Sequence, residues 1–292
     1  MAMKCNLNSS KGKSLKKRND KKPQPLEHAW IATHCHQAWC FGQWLKASLP
    51  APLTQQGLAI DWLSQTETPD CDHLILALSR PDTQPFWIDF LTGQKAHRQQ
   101  FGGGKNQPLA RAILGKQPEA LPRVLDATAG LANDAYVIAQ LGCDVTLLER
   151  LPVMAALIED GLKRAKNDEK VTETTQRMHV IHADAVQWMH ERLNNQRTEQ
   201  PSQAFEVVYL DPMYPHTNKT AAAKKGMQLL QHLAGADTDS DALLAAALKT
   251  AIQRVVVKRP KGAPSLAGPA PHAAIKSPNT RYDIYSIKAL HP

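Results

Sequence analysis

The chain has 292 residues, of which 42% are hydrophobic and 21% are charged, so it is long enough for one large domain and a smaller one with real cores. No apolar run approaches the roughly 18 residues that a membrane-spanning helix needs, which excludes an integral helical membrane protein. The start of the chain is rich in lysine with no apolar stretch behind it, and we therefore expect a cytoplasmic protein.

Most of the formal net charge of +8 lies in residues 1–24, which hold eight lysine and arginine residues against one aspartate. A block of like charge with few apolar residues is predicted to be a basic disordered tail. Such a tail either binds nucleic acid, because neutralising phosphates releases condensed counterions, or is merely solvated. The sequence leaves both alternatives open.

Residues 25–105 are predicted to form a small α+β domain that ends in a glycine-rich loop. Its first elements are a strand at His28–Cys35 and a helix at Gln37–Leu49. The apolar face of that helix is assigned to Trp39, Cys40, Trp44 and Leu45. Apolar clusters separated by turn residues then predict three short strands, at Leu58–Leu63, Leu74–Leu78 and Phe86–Leu91.

Five scattered cysteines without a CxxC pair indicate reduced thiols. The run His34-Cys35-His36 with Cys40 resembles half of a zinc site, but no second pair of ligands accompanies it. The sequence therefore predicts no metal site.

A polar, basic segment closes this region, with His97 and Arg98 on one side of Gly102–Gly104 and Lys105 on the other. Three consecutive glycines favour either a plain linker or a loop whose backbone approaches a ligand closely. We favour the functional loop, because its flanking cations suit phosphate.

From residue 106 to residue 292, helical and strand patterns alternate, which predicts an α/β domain with a mostly parallel sheet and a closing C-terminal hairpin. After a first helix at Leu109–Leu114, the predicted strands are Val124–Asp126, Asp144–Glu149, Met178–His182, Phe205–Leu210, Val255–Val257, Ala273–Lys276 and Tyr282–Ile287. The predicted helices between them are Asp134–Leu141, Pro152–Ala165, Asp184–Leu193, Ala221–Leu233 and Asp241–Gln253.

The turn after the first of these strands is the first candidate for a nucleoside site. Asp126 ends the strand, small residues lead to Gly130, and a helix follows, so the backbone can approach a ligand at the carboxyl edge of the sheet. Glu149 ends the next strand, where a carboxylate can accept hydrogen bonds from ribose hydroxyls. NAD and S-adenosylmethionine both fit, although the missing glycines of a pyrophosphate loop weaken NAD.

Two further acidic positions follow the third and fourth strands. Asp184 is placed either to reach the adenine edge of the ligand or to cap the next helix, and both roles can hold. Asp211-Pro212-Met213-Tyr214 ends the fourth strand, where a carboxylate and a carbonyl can accept the hydrogens of an amine while Tyr214 stacks on a base.

These residues resemble the Asp/Asn-Pro-Pro-aromatic motif of class I S-adenosylmethionine-dependent methyltransferases that modify exocyclic amines. More narrowly, residues 88 to 290 resemble the RsmJ family of bacterial small-subunit ribosomal RNA guanine-N2 methyltransferases. The segments that carry this resemblance are Ala96–Arg98, Phe101–Gly104, Asp126–Leu131, Leu148–Arg150, Tyr209–His216 and Val255–Pro260.

The resemblance implies a Rossmann-like methyltransferase domain over residues 106–292. It also implies that S-adenosylmethionine contacts Asn133, Asp134, Glu149, Arg150, Asp184, Ala185 and Asp211. The sequence departs from the family at two places. Asn133 replaces a basic residue, so that contact is not ionic, and the lysine-rich tail lies outside the resemblance.

We therefore expect methyl transfer from S-adenosylmethionine to the N2 amine of a guanosine in small-subunit ribosomal RNA, free or assembled. Asp211 and Pro212 would hold the amine and Tyr214 the base, without metal. Phosphate contacts are assigned to His97, Arg98, Lys105, Lys258 and Arg259, with lesser candidates at Lys219, Lys224, Lys225 and Lys261. The alternatives are another amine (adenine N6 or a protein glutamine), an NAD-dependent oxidoreductase, or a non-catalytic RNA-binding module.

Overall fold

The structure is a computed structural model, and it describes residues 24–49, 54, 57–65, 74–80, 83–91, 107–115, 120–195, 204–213 and 240–290. Residues 1–23 of the predicted tail, the Gly102–Gly104 loop and the predicted helix at Ala221–Leu233 lie outside the described residues, whereas Gln24 begins the first strand. Within the described part of the chain, no helix is both long and apolar enough to cross a membrane.

The first part of the chain forms a four-stranded antiparallel sheet with two helices. The strands pair in the order β1-β2-β3-β4. The elements are β1 (Gln24–Pro25), α1 (His28–His34), α2 (His36–Ser48), β2 (Ala59–Ser64), β3 (Ile75–Arg80) and β4 (Thr83–Phe86).

The strand predicted at His28–Cys35 is wrong, because these residues form helix α1. The buried residues there are Ile31 and Cys35, four positions apart, and the Cys35 N–H donates to the Ile31 carbonyl. Trp30 also stacks on His34, again four positions away. This spacing is helical, whereas a strand would bury every second residue.

The predicted helix at Gln37–Leu49 is confirmed as α2, but its apolar face was only partly identified. Leu45 is fully buried, whereas Trp44 is 50% exposed and Cys40 is exposed. The third predicted strand, Phe86–Leu91, is also misplaced, since β4 ends at Phe86.

The expectation of reduced thiols holds for two cysteines of the described residues and fails for a third. Cys40 and Cys143 are free thiols, but Cys35 is disulfide-bonded. No group of three or more His, Cys, Asp or Glu side chains in the described residues is arranged to hold a metal ion.

The second part of the chain forms a seven-stranded sheet. Its strands are β5 (Val124–Asp126), β6 (Val145–Glu149), β7 (Met178–His182), β8 (Phe205–Leu210), β9 (Ala251–Pro260), β10 (Ala273–Lys276) and β11 (Thr280–Ser286). The helices are α3 (Pro108–Leu114), α4 (Asn133–Gln140), α5 (Pro152–Ala165), α6 (Thr172–Thr175), α7 (Ala185–Asn195), α8 (Ser240–Thr250) and α9 (Ile287–Leu290).

The strand order is β10-β11-β9-β8-β5-β6-β7, and all neighbours from β9 to β7 pair in parallel. Only β11 runs antiparallel to its two neighbours, β9 and β10. From β5 the chain continues outward through β6 and β7, and it later returns to the other side of β5 with β8. The order of the strands therefore reverses between β5 and β8, and such a switch point opens a crevice at the carboxyl ends of the strands.

The predicted α/β fold with a mostly parallel sheet and closing hairpin is confirmed. The boundary between two elements needs correction, since the helix expected at Asp241–Gln253 ends at Thr250 and the strand expected at Val255–Val257 already begins at Ala251. Ala251 pairs with Phe205 of β8, and β11 pairs with the other edge of β9. Hydrogen bonding on both sides extends the strand well beyond its apolar core.

Helices cover both faces of this sheet, which explains why β5 and β8 are almost entirely buried. One apolar cluster contains Ala135, Ile138 and Leu157 from α4 and α5, and the other contains Met189 and Leu244 from α7 and α8. The first cluster continues into the first part of the chain through Ile60 on β2, Leu76 on β3 and Phe90, which follows β4.

Helix α5 packs closely against the antiparallel sheet. Asp160 accepts hydrogen bonds from the Leu76 N–H (3.2 Å) and the Arg164 Nε (2.9 Å), and Arg164 also donates to the Ile88 carbonyl. Burial raises the pKa of Asp160 and Arg164 opposes that rise. A Cβ atom on Gly161 would lie 2.8 Å from the Ile88 oxygen, so this approach requires glycine.

Candidate active site

A pocket opens at the carboxyl ends of β5, β6 and β8, at the switch point of the parallel sheet. Its walls come from the turn after β5, the end of β6, the start of α7 and the segment after β8. The lining residues are Ala127, Thr128, Gly130, Leu148, Glu149, Arg150, Ala183, Asp184, Ala185, Val186, Asp211, Met213 and Leu243.

The turn after β5 is shaped by Asp126. Its Oδ1 accepts hydrogen bonds from the Thr128 N–H (3.0 Å) and hydroxyl (3.3 Å), while Gly130 (φ 52°) and Ala132 (φ 54°) adopt left-handed backbone conformations. Asp126 is 2% exposed and does not line the pocket. The predicted cofactor contact of Asp126 is thus replaced by a role in supporting the turn.

Burial raises the pKa of Asp126 to about 7. The Thr128 N–H opposes this rise, whereas the negative charges of Asp134 and Asp211 add to it. Asp126, Asp134 and Asp211 therefore lie close enough for their negative charges to act on one another.

Glu149 lies in the pocket wall and is 6% exposed. Its Oε2 accepts from the Gly130 N–H and its Oε1 from the Leu151 N–H, both at 2.9 Å. Each carboxylate oxygen has two lone pairs, so an oxygen that accepts one hydrogen bond can accept a second. The end of β6 thus presents an acceptor whose orientation is fixed by two backbone groups.

Asp184 lies in the pocket wall at the start of α7. Its Oδ1 accepts from the Gln187 N–H (2.9 Å), three residues further on, so the helix-capping alternative holds. Arg150 and Ala185 also line the pocket, and Leu148, Val186, Met213 and Leu243 contribute apolar surface. This part of the wall therefore fits a ligand with a flat, largely apolar ring and polar groups at its edges.

Lys258, on β9, bridges two carboxylates of the site. Its Nζ lies 2.6 Å from the Asp134 Oδ2 and 2.8 Å from the Asp211 Oδ2. The Tyr209 hydroxyl donates to the same Asp134 oxygen at 2.7 Å. Although burial lowers the pKa of Lys258, Asp211 and Asp134 raise it well above its usual value, so Lys258 stays charged.

Asp211 connects the end of β8 to the turn after β5, because its N–H donates to the Thr128 hydroxyl at 2.7 Å. Burial of the carboxyl group raises its pKa, Lys258 lowers it and Asp134 raises it again. Burial also raises the pKa of Tyr209, with Asp134 and Asp211 adding to the effect. The hydroxyl of Tyr209 therefore remains a hydrogen-bond donor.

The structure does not support the phosphate contacts predicted for Lys258 and Arg259. Lys258 is engaged by two carboxylates, and Arg259 is only 5% exposed, with its Nε donating to the Pro264 carbonyl. Both positively charged side chains therefore already have partners within the protein. His97, Arg98, Lys105 and Tyr214 lie outside the described residues.

The remaining predicted residues are placed as follows. Pro212 directly follows Asp211 and precedes the pocket residue Met213. Asn133 begins α4 as an exposed residue and Asp134 is held by Lys258 and Tyr209, and neither residue lines the pocket.

Sequence reasoning missed Thr128, Tyr209 and the bridging position of Lys258. The position of Lys258 follows from the pairing of β8 with β9. Leu210 pairs with Val257 between the parallel strands β8 and β9, so the next residues, Asp211 and Lys258, emerge side by side. A correct prediction of this register from the sequence would have shown that Asp211 and Lys258 are neighbours.

Comparison with known proteins gives a consistent result. The family model of S-adenosylmethionine-dependent methyltransferases matches residues 54–287. Ribosomal RNA small subunit methyltransferase J from Hydrogenovibrio crunogenus is 51% identical over 249 residues, covering 84% of this chain and 86% of the relative. The protein of the same name from Pseudomonas aeruginosa is 47% identical over 216 residues, covering 74% and 79%.

A solved structure also matches most of the chain. The S-adenosylmethionine-dependent methyltransferase from Neisseria gonorrhoeae is 30% identical, with a TM-score of 0.62. The match covers 86% of this chain and 95% of that one.

Proposed function

The chain belongs to the family of S-adenosylmethionine-dependent methyltransferases that includes ribosomal RNA small subunit methyltransferase J, and we propose that it methylates small-subunit ribosomal RNA. The proposed acceptor is the exocyclic N2 amine of one guanosine. The observation that carries this proposal is the position of Asp211, which follows β8 in the wall of the same pocket as Glu149. Family membership disfavours the oxidoreductase and the non-catalytic binding module.

The donor and acceptor groups of the pocket fit S-adenosylmethionine. Glu149 offers oriented carboxylate oxygens for the ribose, and Asp184 with its apolar neighbours offers a wall for the adenine. The turn at Gly130 allows close approach of the backbone. We further propose that Asn133, Asp134, Arg150 and Ala185 contribute to this site, and that Asp134 faces the amino-acid end of the cofactor.

Asp211 and Pro212 are the groups proposed to hold the target amine. The lone pair of a guanine N2 nitrogen is delocalised into the ring, so the nitrogen is a poor nucleophile. Hydrogen bonds from its two protons to the Asp211 carboxylate and the Pro212 carbonyl favour the rehybridised nitrogen, whose positive charge develops in the transition state. Placing the nitrogen in line with the methyl group contributes the remaining acceleration of methyl transfer.

When bound, S-adenosylmethionine supplies an electrophilic methyl group on a sulfonium. The N2 lone pair forms the new carbon–nitrogen bond as the sulfur–carbon bond breaks, with that electron pair remaining on sulfur. The methylated nitrogen then releases a proton to Asp211 and onward to solvent. These residues thus orient the amine, stabilise the developing charge and receive the proton.

The guanine must leave its stack to reach this pocket, and we propose Tyr214 as its stacking platform. His97, Arg98, Lys105 and the basic tail are proposed to contact RNA phosphates. We also propose residues 25–105 as the N-terminal domain and residues 106–292 as the catalytic domain. A cytoplasmic location follows from the substrate proposed.

The test is methyl transfer from radiolabelled S-adenosylmethionine to three substrates: small-subunit ribosomal RNA lacking the modification, DNA and protein. We expect label in the RNA alone, and nuclease digestion should release it as N2-methylguanosine from one position. Running the assay with free RNA and with assembled subunits identifies the form accepted. Label in N6-methyladenine or in a protein glutamine would overturn the proposed acceptor.

A further inference from the structure

The ammonium group of Lys258 joins the two ends of the active site. Its Nζ contacts Asp134, in the first turn of α4, and Asp211, immediately after β8. The first carboxylate is proposed to face the cofactor and the second the target base. One side chain on a third element, β9, therefore holds both acidic groups at fixed positions.

Lys258 is the cation that contacts a cluster of acidic side chains. Asp126 lies nearby as a third carboxylate, and the Tyr209 hydroxyl donates to the oxygen of Asp134 that Lys258 contacts. Arg259 also acts on Asp211 through its charge, but its Nε donates to the Pro264 carbonyl.

Lys258 approaches one particular oxygen of Asp211. The salt bridge is made to Oδ2, while the backbone N–H of the same residue is fixed by Thr128. Among the described residues, Lys258 occupies Oδ2 and leaves Oδ1 to accept a hydrogen bond from a target amine. Carboxylate oxygens held in this way lose little entropy on binding a ligand.

Building on the proposed function, we propose that Lys258 is a positioning residue that holds the Oδ2 of Asp211 and so directs its Oδ1 toward the target amine. Asp134 anchors the lysine from the other side and is itself held by the Tyr209 hydroxyl. Lys258 then contributes to the rate of methyl transfer without touching the base, and it makes no contact with RNA phosphate.

Lys258 also affects the rate through its influence on the pKa of Asp211. Burial and the charge of Asp134 both raise the pKa of Asp211, and Lys258 and Arg259 lower it. Without Lys258, Asp211 therefore takes up a proton at a higher pH. A protonated carboxyl group stabilises the positive charge that develops on the nitrogen far less than a carboxylate does.

The experiment compares Lys258→Met, Lys258→Gln and Lys258→Arg with a matched control, Lys276→Met, which removes an exposed lysine from edge strand β10. For each protein, kcat and KM for the RNA are measured from pH 5 to 9, along with the melting temperature. The titration of Asp211 is followed in the free protein by carboxyl ¹³C NMR and assigned with Asp211→Asn.

We expect both neutral variants to lose about 100-fold in kcat, with KM for RNA changed by less than about 3-fold. The acidic limb of their pH profile and the Asp211 titration should both move to higher pH. Lys258→Arg keeps the charge and should recover at least about 10-fold of the lost rate. Lys276→Met should behave as the wild type.

A folded neutral variant with wild-type kcat and acidic limb would overturn the proposal. So would a lower kcat with an unshifted Asp211 titration, since a merely structural lysine predicts that result. If neither neutral variant folds, Lys258 has a structural role, and this result also overturns the proposal. If the wild type does not methylate the RNA, the proposed function fails, and the NMR titration still decides the role of Lys258.

Discussion

The backbone N–H of Gly130 donates a 2.9 Å hydrogen bond to the Oε2 of Glu149, and this bond joins the turn after β5 to the end of β6. Gly130 itself has a left-handed backbone (φ 52°), a conformation that glycine adopts without strain. The second oxygen of Glu149 is held by Leu151. A ligand entering the pocket therefore meets a carboxylate whose direction is already set.

Glu149→Gln should weaken binding of S-adenosylmethionine by about 10- to 100-fold, because an amide retains one acceptor oxygen and carries no charge. Isothermal titration calorimetry measures this change directly. Glu159→Gln, an exposed substitution on α5, is the matched control and should leave the dissociation constant unchanged. Equal affinity of Glu149→Gln and wild type would contradict the ribose contact.

Asp211→Asn should lower kcat for methyl transfer by about 100-fold or more, because the charge that stabilises the developing positive nitrogen is lost. Binding of S-adenosylmethionine should change far less. The control is Asp144→Asn, an exposed site just before β6 at the opposite end of the sheet. Full activity of folded Asp211→Asn would remove Asp211 from the proposed mechanism.

Asp126 should make the stability of the protein depend on pH. Its pKa is raised to about 7 in the folded state, so the folded protein holds this proton more tightly than the unfolded chain. Stability is therefore lost as the pH rises from about 4 to 7, and the loss is complete above that range.

Asp126→Asn removes this titration and should gain stability relative to the wild type as the pH rises. Between pH 4.5 and pH 8 the relative gain should be on the order of 2–4 kcal/mol in the free energy of unfolding. Denaturant titrations of both proteins at the two pH values provide the comparison. A difference that does not vary with pH would show that Asp126 titrates normally.

Gly161→Ala should destabilise the protein, because its Cβ would lie 2.8 Å from the Ile88 carbonyl oxygen and 3.1 Å from the Phe90 ring. Overpacking of this kind costs about 1–3 kcal/mol, measurable by urea unfolding. Gly262→Ala is the control, since nothing lies within 4 Å of the Cβ built there. Equal stability of the two variants would mean that α5 can move away from the antiparallel sheet.

Deleting residues 1–23 should lower RNA affinity and flatten its dependence on salt if the tail binds phosphates, since each phosphate contact contributes about 0.7 to the slope for single strands. Filter binding at several salt concentrations gives the slope. Replacing the tail's eight cations with glutamine keeps its length and separates charge from chain length. An unchanged slope would indicate a tail that is only solvated.

The sequence identified the elements of the parallel sheet well because they depend on local patterns. Val124–Asp126, Met178–His182, Phe205–Leu210 and Pro152–Ala165 have the predicted bounds, since each is an apolar run or a helical repeat between turn residues. Helix α1 was mistaken for a strand, because it has only seven residues and a single buried one, Ile31.

The sequence by itself determined the family, the parallel sheet and the acidic residues at its carboxyl edge, because strand patterns and short motifs are properties of neighbouring residues. Only the tertiary structure decided what those residues contact. Asp126 supports a turn, Arg259 is buried, and Lys258 lies between Asp134 and Asp211. These roles depend on strand register and burial between segments as much as 124 residues apart, which local sequence does not encode.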